Sequence, residues 1–305
     1  MIDFSQKPLF LAPMAGFSDL PFRRVVKKFG ADITISEMIS SNALIFENAK
    51  TLKMLEKDES ENPFIVQIAG SDVALIKKAV LFLNRFEFID GIDLNCGCPM
   101  PKVLRQNAGA ALLDDLELLK KLVSTIKKHS KKRTTSVKFR LGLKDKKSPL
   151  IAKACEDAGA DFISIHARTA KQLYSGQADY DALSLAKDAV SIPVVANGDI
   201  NAQNADEVLK QCKADALMIG RASIGKPWLF YELKNKQSIN ANLKKEIILY
   251  HFESMLKHYG KQAVPLFRKH LHEYCKGLEN ASNFRAQINQ INDENTLQTK
   301  IECFF

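Results

Sequence analysis

A chain of 305 residues with 46% hydrophobic composition can bury one large domain plus a small one, or two medium ones. No apolar run approaches the roughly 18 residues that a membrane helix requires, and "MIDFSQKPLFLAPMAG" has neither the basic lead nor the apolar block of a signal peptide, so a cytoplasmic protein without membrane contact is expected. The net charge of +9 suits a polyanionic partner such as nucleic acid, and equally a merely lysine-rich chain.

Eight short apolar runs follow in chain order: "LFLA" (9–12), "ITIS" (33–36), "FIVQIA" (64–69), "IDGIDLN" (89–95), "TSVKFR" (135–140), "DFISIHA" (161–167), "IPVVANG" (192–198) and "DALMIG" (215–220). Amphipathic stretches such as "VALIKKAVLFLNRF" separate them. Runs that are apolar on both faces, alternating with helices, predict a parallel sheet covered by helices. An open doubly wound sheet competes with a closed (β/α)8 TIM barrel; the count of eight and the lack of an early GxGxxG turn favour the barrel.

The alternation ends after "GRASIGKPWLFYEL", so residues 1–236 are expected to form the barrel, with a polar linker near 234–242. Residues 243–305 predict a small all-α domain. Leu243, Ile247, Ile248, Phe252, Met255, Leu256 and Tyr259 form one apolar face, and Gly260 is a stop. A second helix is expected from Pro265, burying Phe267, Leu271 and Tyr274 and carrying Arg268, His272 and Lys276 as a basic stripe. A third, "SNFRAQINQI", is expected to be capped by its serine.

Barrels of this type keep their chemistry at the C-terminal strand ends. Those ends carry "APMAG", Glu37, Gln67, Asn95 with "CGCP", Lys138 and Arg140, His166 and Arg168, "NGD" (197–199), and Gly220–Arg221. Taken singly, Lys138 also reads as half of an ion pair and His166 as a satisfied core histidine; the clustering argues for a polar ligand. In the last two loops, glycines admit backbone N–H groups to an anion that Arg221 can neutralise, the usual phosphate site of the fold. With Gln67 and Lys138 further round, a flat, phosphate-tailed cofactor such as FMN fits the mouth. Six scattered cysteines without a CxxC pair argue against a disulfide framework, and the single close pair, Cys96 and Cys98, argues against structural zinc; no metal is expected.

"APMAGFSDLPFR", "SEMISS", "NCGCPMPKV", "GAALL", "SIHARTAKQLYSG", "VVANGDI" and "MIGRASIGKPWLF", in this order over residues 8–232, resemble the tRNA-dihydrouridine synthases, most like the B-type bacterial subfamily. "FRKHLHEYCKG" is similar, more weakly, to the family's helical tail. The resemblance implies an FMN enzyme that reduces the C5–C6 bond of particular tRNA uridines with NADPH, acting as a monomer. It implies FMN contacts from Pro13, Met14 and Ala15, with Gln67 and Lys138 on the ring and His166 beside it. Asn197, Gly198, Asp199, Gly220 and Arg221 would hold the ribityl phosphate. Asn95, Arg140 and Arg168 would lie on the substrate side, with Arg268 and Lys269 meeting tRNA. Ala167 stands where the family usually has glycine, Asp179–Tyr180 where Asp-Trp is common, and the loop "LGLKDKKSPL" is short and lysine-rich.

Hydride addition to uracil C6 leaves negative charge on C5 and O4, so a proton must reach C5 from the opposite face. A cysteine thiol is mostly protonated at neutral pH and can supply it; Cys98, between glycine and proline, is the expected catalytic acid, with Cys96 a packing residue. The local Lys144–Lys147 loop lies on the expected active face, while Lys131–Arg133 precedes strand five and is expected at the opposite end. Three other readings share parts of this pattern: an FMN barrel acting on free pyrimidines, like dihydroorotate dehydrogenase; a flavin-free phosphosugar barrel; and an RNA-binding protein on an inactive barrel.

Overall fold

A computed structural model describes residues 2–305. Its strands are β1 (Leu9–Leu11), β2 (Ile33–Ile35), β3 (Ile39–Ser40), β4 (Phe64–Ala69), β5 (Gly91–Cys96), β6 (Thr134–Arg140), β7 (Phe162–His166), β8 (Val194–Asn197) and β9 (Ala216–Ile219). All pairings are parallel, in the order β2-β1-β9-β8-β7-β6-β5-β4-β3, and β2 also pairs with β4. Because β2 and β3 both pair with β4, they share one position, and the sheet closes as an eight-stranded barrel. The fold is the expected (β/α)8 TIM barrel followed by C-terminal helices.

Alternation along each strand sorts side chains into two layers. One set packs outward against the helices, including Val66, Leu94, Val137 and Ile165. The inward set fills the lumen: Phe10, Ile33, Ile65, Phe162, Val195 and Ala216 form an apolar cluster. Below them a 3-10 turn, Phe4–Gln6, sets Phe4 against Phe10 and Phe162 with ring centroids 6.2 and 5.5 Å away, closing the N-terminal end.

A recurring device trims that end. Asp32, Asp90, Asp161 and Asp215 precede their strands and accept from the backbone N–H of Leu9, Phe64, Thr135 and Val194 at 2.7–2.9 Å. Each satisfies a donor at the start of a neighbouring strand that has no ladder partner. Arg133 lines a crevice at this same end with Asp90 and Thr134, on the face opposite the strand termini that carry the site.

After β9 the helix Leu229–Asn235 runs to the edge of the polar stretch, and only Lys236–Asn240 lies outside helices before Ala241–Tyr259 begins. Gly260, at φ +56, ends that helix as expected. The second helix, Ala263–Tyr274, starts earlier than Pro265, which falls in its first turn, where the missing N–H is harmless. Lys276 lies past its end and outside the helical stripe. The third helix, Ala281–Ile288, is preceded by Asn280 in the left-handed region, so Ser282 sits inside the first turn and is not the cap. A fourth helix, Glu294–Phe304, completes the tail. These helices enclose a second apolar core, including Phe252, Phe267, Phe284, Leu297 and Ile301, joined by Val25 and Trp228 of the barrel portion. No helix among the described residues is long and apolar enough to cross a membrane.

Candidate active site

Above the apolar lumen the inward positions turn polar. Gln67 and Asp93 are register partners across β4 and β5, Asn95 and Lys138 across β5 and β6, and His166 and Asn197 across β7 and β8. The expected residues of the strand ends are thus brought to one mouth.

A directed hydrogen-bond chain runs through it. Ser136 Oγ donates to Asp93 Oδ1 at 2.6 Å, and Gln67 Nε2 donates to Asp93 Oδ2 at 2.7 Å. Asn95 Nδ2 donates to Gln67 Oε1 at 2.8 Å, and Asn95 Oδ1 accepts the backbone N–H groups of Gly97 and Cys98 at 3.2 and 3.0 Å. A carboxylate only accepts and an amide N–H only donates, so both ends of the chain fix the orientation of the two amides between them. Asn95 keeps one free N–H for a ligand. Asp93 is fully buried; burial pushes its carboxyl up to about 6, against the pull of Ser136, Gln67 and Lys138.

Cys98 stands partly exposed on the loop that this chain holds. Cys96, two residues earlier, points into the layer between sheet and helices, where burial pushes its thiol well above the ordinary range. Alternation makes the two thiols unequal.

Lys138 Nζ donates to Asn197 Oδ1 at 3.0 Å, and Asn197 Nδ2 donates to the Met218 carbonyl at 2.8 Å. Burial, reinforced by Arg140, lowers the Lys138 ammonium to about 8. His166 is driven down to about 2 by burial, then by the charges of Lys138, Arg140, Arg168 and Arg221, so it is neutral. Its Nδ1 has no partner. Gly198, at φ +117, carries its backbone past this ring; a Cβ there would stand 3.0 Å from His166 Cδ2.

Asp199 lies between two arginines. Arg168 Nη2 bonds Asp199 Oδ2, and Arg221 Nη2 bonds Oδ1 at 2.9 Å, holding the carboxyl below its usual range. Arg168 also reaches the Ser175 and Gly176 carbonyls, and its Nη1 is buried without a partner. Arg140 donates to the carbonyls of Gly97, Thr169 and Leu173, tying the cysteine loop to the loop after β7. Met14 is anchored by its N–H to Ser18 Oγ at 2.7 Å, in the same loop as Pro13 and Ala15. A Cβ on Gly220 would lie 3.7 Å from Met14 Sδ, so the first and last strand loops adjoin.

The tail candidates diverge. Lys269 Nζ sits 5.4 Å from the centroid of Phe17, in the first strand's loop. Arg268 turns away and donates to the Ile291 carbonyl and Asn292 Oδ1 at 2.8 and 2.9 Å. Residues that sequence reasoning missed are Asp93, Ser136 and Tyr174. The first two carry a readable signal, standing two residues before Asn95 and Lys138 on the same inward faces. Tyr174 is more than half exposed and lies 4.1 Å from the Arg221 guanidinium and 5.5 Å from that of Arg140.

Comparison with known proteins supplies the frame for this site. Residues 10–305 match the family described as Dihydrouridine synthase (Dus). A probable tRNA-dihydrouridine synthase of Helicobacter pylori is 46% identical over 308 residues, spanning 100% of this chain and 94% of the relative. The tRNA-dihydrouridine synthase B of Pasteurella multocida is 38% identical, over 97% of this chain and 92% of the relative. Among solved structures, an old yellow enzyme homologue from Zymomonas mobilis superposes with a TM-score of 0.58 at 14% identity, over 77% of this chain and 90% of that one, a likeness of fold. With a match that runs from the first barrel strand through the last tail helix, the chain belongs to the dihydrouridine synthase family.

Proposed function

We propose that this protein reduces the C5–C6 double bond of particular tRNA uridines to 5,6-dihydrouridine, with bound FMN and with NADPH as reductant. The observation that carries this reading is the Asp93–Gln67–Asn95 chain, which ends on the backbone of Cys98 beside the cationic Lys138.

The mouth fits the cofactor. His166 Nδ1 and Arg168 Nη1 are buried without partners, and Lys138 meets only a neutral amide. Bare backbone at Gly198 occupies space that a side chain would fill. Gln67 and Lys138 would hold the ring; Pro13, Met14, Ala15 and His166 would line it. Asn197, Gly198, Gly220, Arg221 and the backbone of Asp199 would hold the phosphate, with Arg221 contributing the charge and the Asp199 carboxylate steadying its guanidinium. When bound, the flavin supplies the hydride that reduces the uracil ring.

On the substrate side Cys98 holds a proton at Sγ and delivers it to C5. The free Asn95 N–H takes a base carbonyl and orients the ring. Arg140 and Arg168 brace the loops that wall the substrate. Extruding a uridine costs a few kcal/mol, least in a loop, and phosphate contacts offset that cost. The tail (243–305), through Lys269, and a shallow groove containing Lys144, Lys146 and Lys171 supply them, while Arg268 is held inside the tail by Ile291 and Asn292. The protein acts as a monomer in the cytoplasm.

The full-length protein should purify with flavin absorbance and reduce tRNA in the presence of NADPH, leaving free pyrimidines untouched. Cys98→Ala should keep the flavin and lose about 10²–10⁴-fold in tRNA reduction. Flavin-free wild-type protein, or full turnover by Cys98→Ala, overturns the reading.

A further inference from the structure

Where the tail meets the barrel, three ligating side chains converge that the chemistry above does not use. Asp19 is the cap of the helix Leu20–Lys28; His251 lies on Ala241–Tyr259 and His270 on Ala263–Tyr274. One ligand atom from each lies within 4.8 Å of the others. Asp19 is 5% exposed, and both histidines are fully buried.

The polar atoms here are incompletely matched. Asp19 accepts the Phe22 N–H at 3.1 Å and the Tyr259 hydroxyl at 3.0 Å, both neutral donors. His251 Nδ1 pairs with the Tyr274 hydroxyl at 2.9 Å, which leaves Nε2 without a partner, and neither nitrogen of His270 has one. The surrounding wall is aromatic. Phe22 packs on both imidazoles with centroids 5.6 and 5.8 Å away, and Phe17 and Phe267 flank His270. Of the two neighbouring cations, Lys269 holds its Nζ over the Phe17 ring and Arg23 is paired with Glu61 at 2.7 Å. A buried imidazole nitrogen without a partner is costly in such surroundings.

We propose that Asp19, His251 and His270 form a structural site for a divalent ion of the zinc class, pinning the helical tail to the barrel. The donor set is borderline nitrogen plus carboxylate, which suits zinc, cobalt or nickel over magnesium or calcium. The Tyr274 contact occupies His251 Nδ1 and leaves Nε2 as the nitrogen available to the ion, as an outer partner of a metal-bound histidine does. Zinc ligands at about 2.0–2.2 Å from the ion stand about 3.3–3.5 Å apart, so modest side-chain rotations close the set, with water completing it. Four residues separate Asp19 from Met14, and Ser18 bonds the Met14 N–H; the pin therefore anchors the loop that borders the mouth. The expectation of no metal rested on cysteine spacing, which does not bear on this cluster.

The test measures metal on the full-length protein, independently of turnover. Elemental analysis of protein purified without chelator should find stoichiometric zinc, and chelated protein refilled with Co2+ should show visible ligand-field bands. His251→Gln and His270→Gln should lose both signals, whereas Cys98→Ala should retain them. Should a histidine variant fail to fold, Asp19→Asn preserves the helix cap; added zinc should raise the melting temperature of chelated wild type and not that of Asp19→Asn. Protein that contains no metal and takes up no Co2+ overturns the proposal, as does metal content unchanged in all three variants.

Discussion

The two ends of one barrel lumen are built from opposite materials. The N-terminal end is filled by Phe10, Ile33, Ile65, Phe162 and Val195 and stoppered by Phe4. The C-terminal end, two to four positions further along strands such as β4, β7 and β8, is lined by Gln67, Asn95, Lys138, His166 and Asn197. The lower end gains its stability from shape and apolar burial. The upper end holds charges and orphaned nitrogens that burial disfavours, and they persist because the lower end and the helix layer supply the stability. The boundary shows where the molecule stops being scaffold.

The comparison can be broken from below. Phe162→Ala should destabilise the protein by about 3–5 kcal/mol through the cavity it leaves, while turnover per folded molecule stays at the wild-type level. Urea melts set beside active-site titration check this; lost turnover in fully folded variant would show that the two ends are not separable.

A smaller effect is expected from above. Asp93→Asn puts an amide N–H at one of the two positions where Gln67 and Ser136 now find an acceptor. With that N–H toward Gln67, the Gln67 amide reverses, Asn95 follows, and its Nδ2 comes to face the Gly97 and Cys98 N–H groups. A sub-ångström shift of the Cys98 loop should lower kcat by about 10–100-fold, with flavin content and KM for tRNA little changed. Wild-type kcat in this variant would show that the amide orientation is set elsewhere.

A third effect is one of pH. His166 has a folded value near 2 against an ordinary 6.5, so below 6.5 the unfolded chain binds the extra proton and stability falls with pH. Asp93, raised from 3.8 to about 6, has the opposite sign: between these values the folded chain binds the extra proton and gains stability as pH falls. Removing that compensation in Asp93→Asn should steepen the acid loss between pH 6 and 4 by about 1.4 kcal/mol per pH unit. Parallel slopes for the two proteins, from melts across that range, would mean Asp93 does not titrate there.

Much of this was legible before any fold was known. Strands buried on both faces announce themselves as Val/Ile runs, and all eight appear within a residue or two of their expected bounds. Gln67, Asn95, Lys138 and His166 stood out because a polar side chain inside such a run requires a polar neighbour. Asp93 escaped because it sits early in "IDLN", where an acidic residue reads as a strand start, as Asp90 does. The Asn280 cap escaped because its left-handed backbone leaves no mark beside a serine that scores well as a cap. Arg268 reads as a free cation until the chain folds Ile291 and Asn292 back onto it. The Asp19, His251 and His270 cluster joins residues that no local spacing relates.

The chain's single tryptophan, Trp228, belongs to the second core, where it stacks on Tyr274 with centroids 6.2 Å apart and has Lys244 Nζ 5.7 Å from its ring. It precedes the helix Leu229–Asn235, while its contacts come from the tail. Its fluorescence is thus a built-in optical gauge of whether the tail is seated, readable without labels and separable from any flavin signal at longer wavelength.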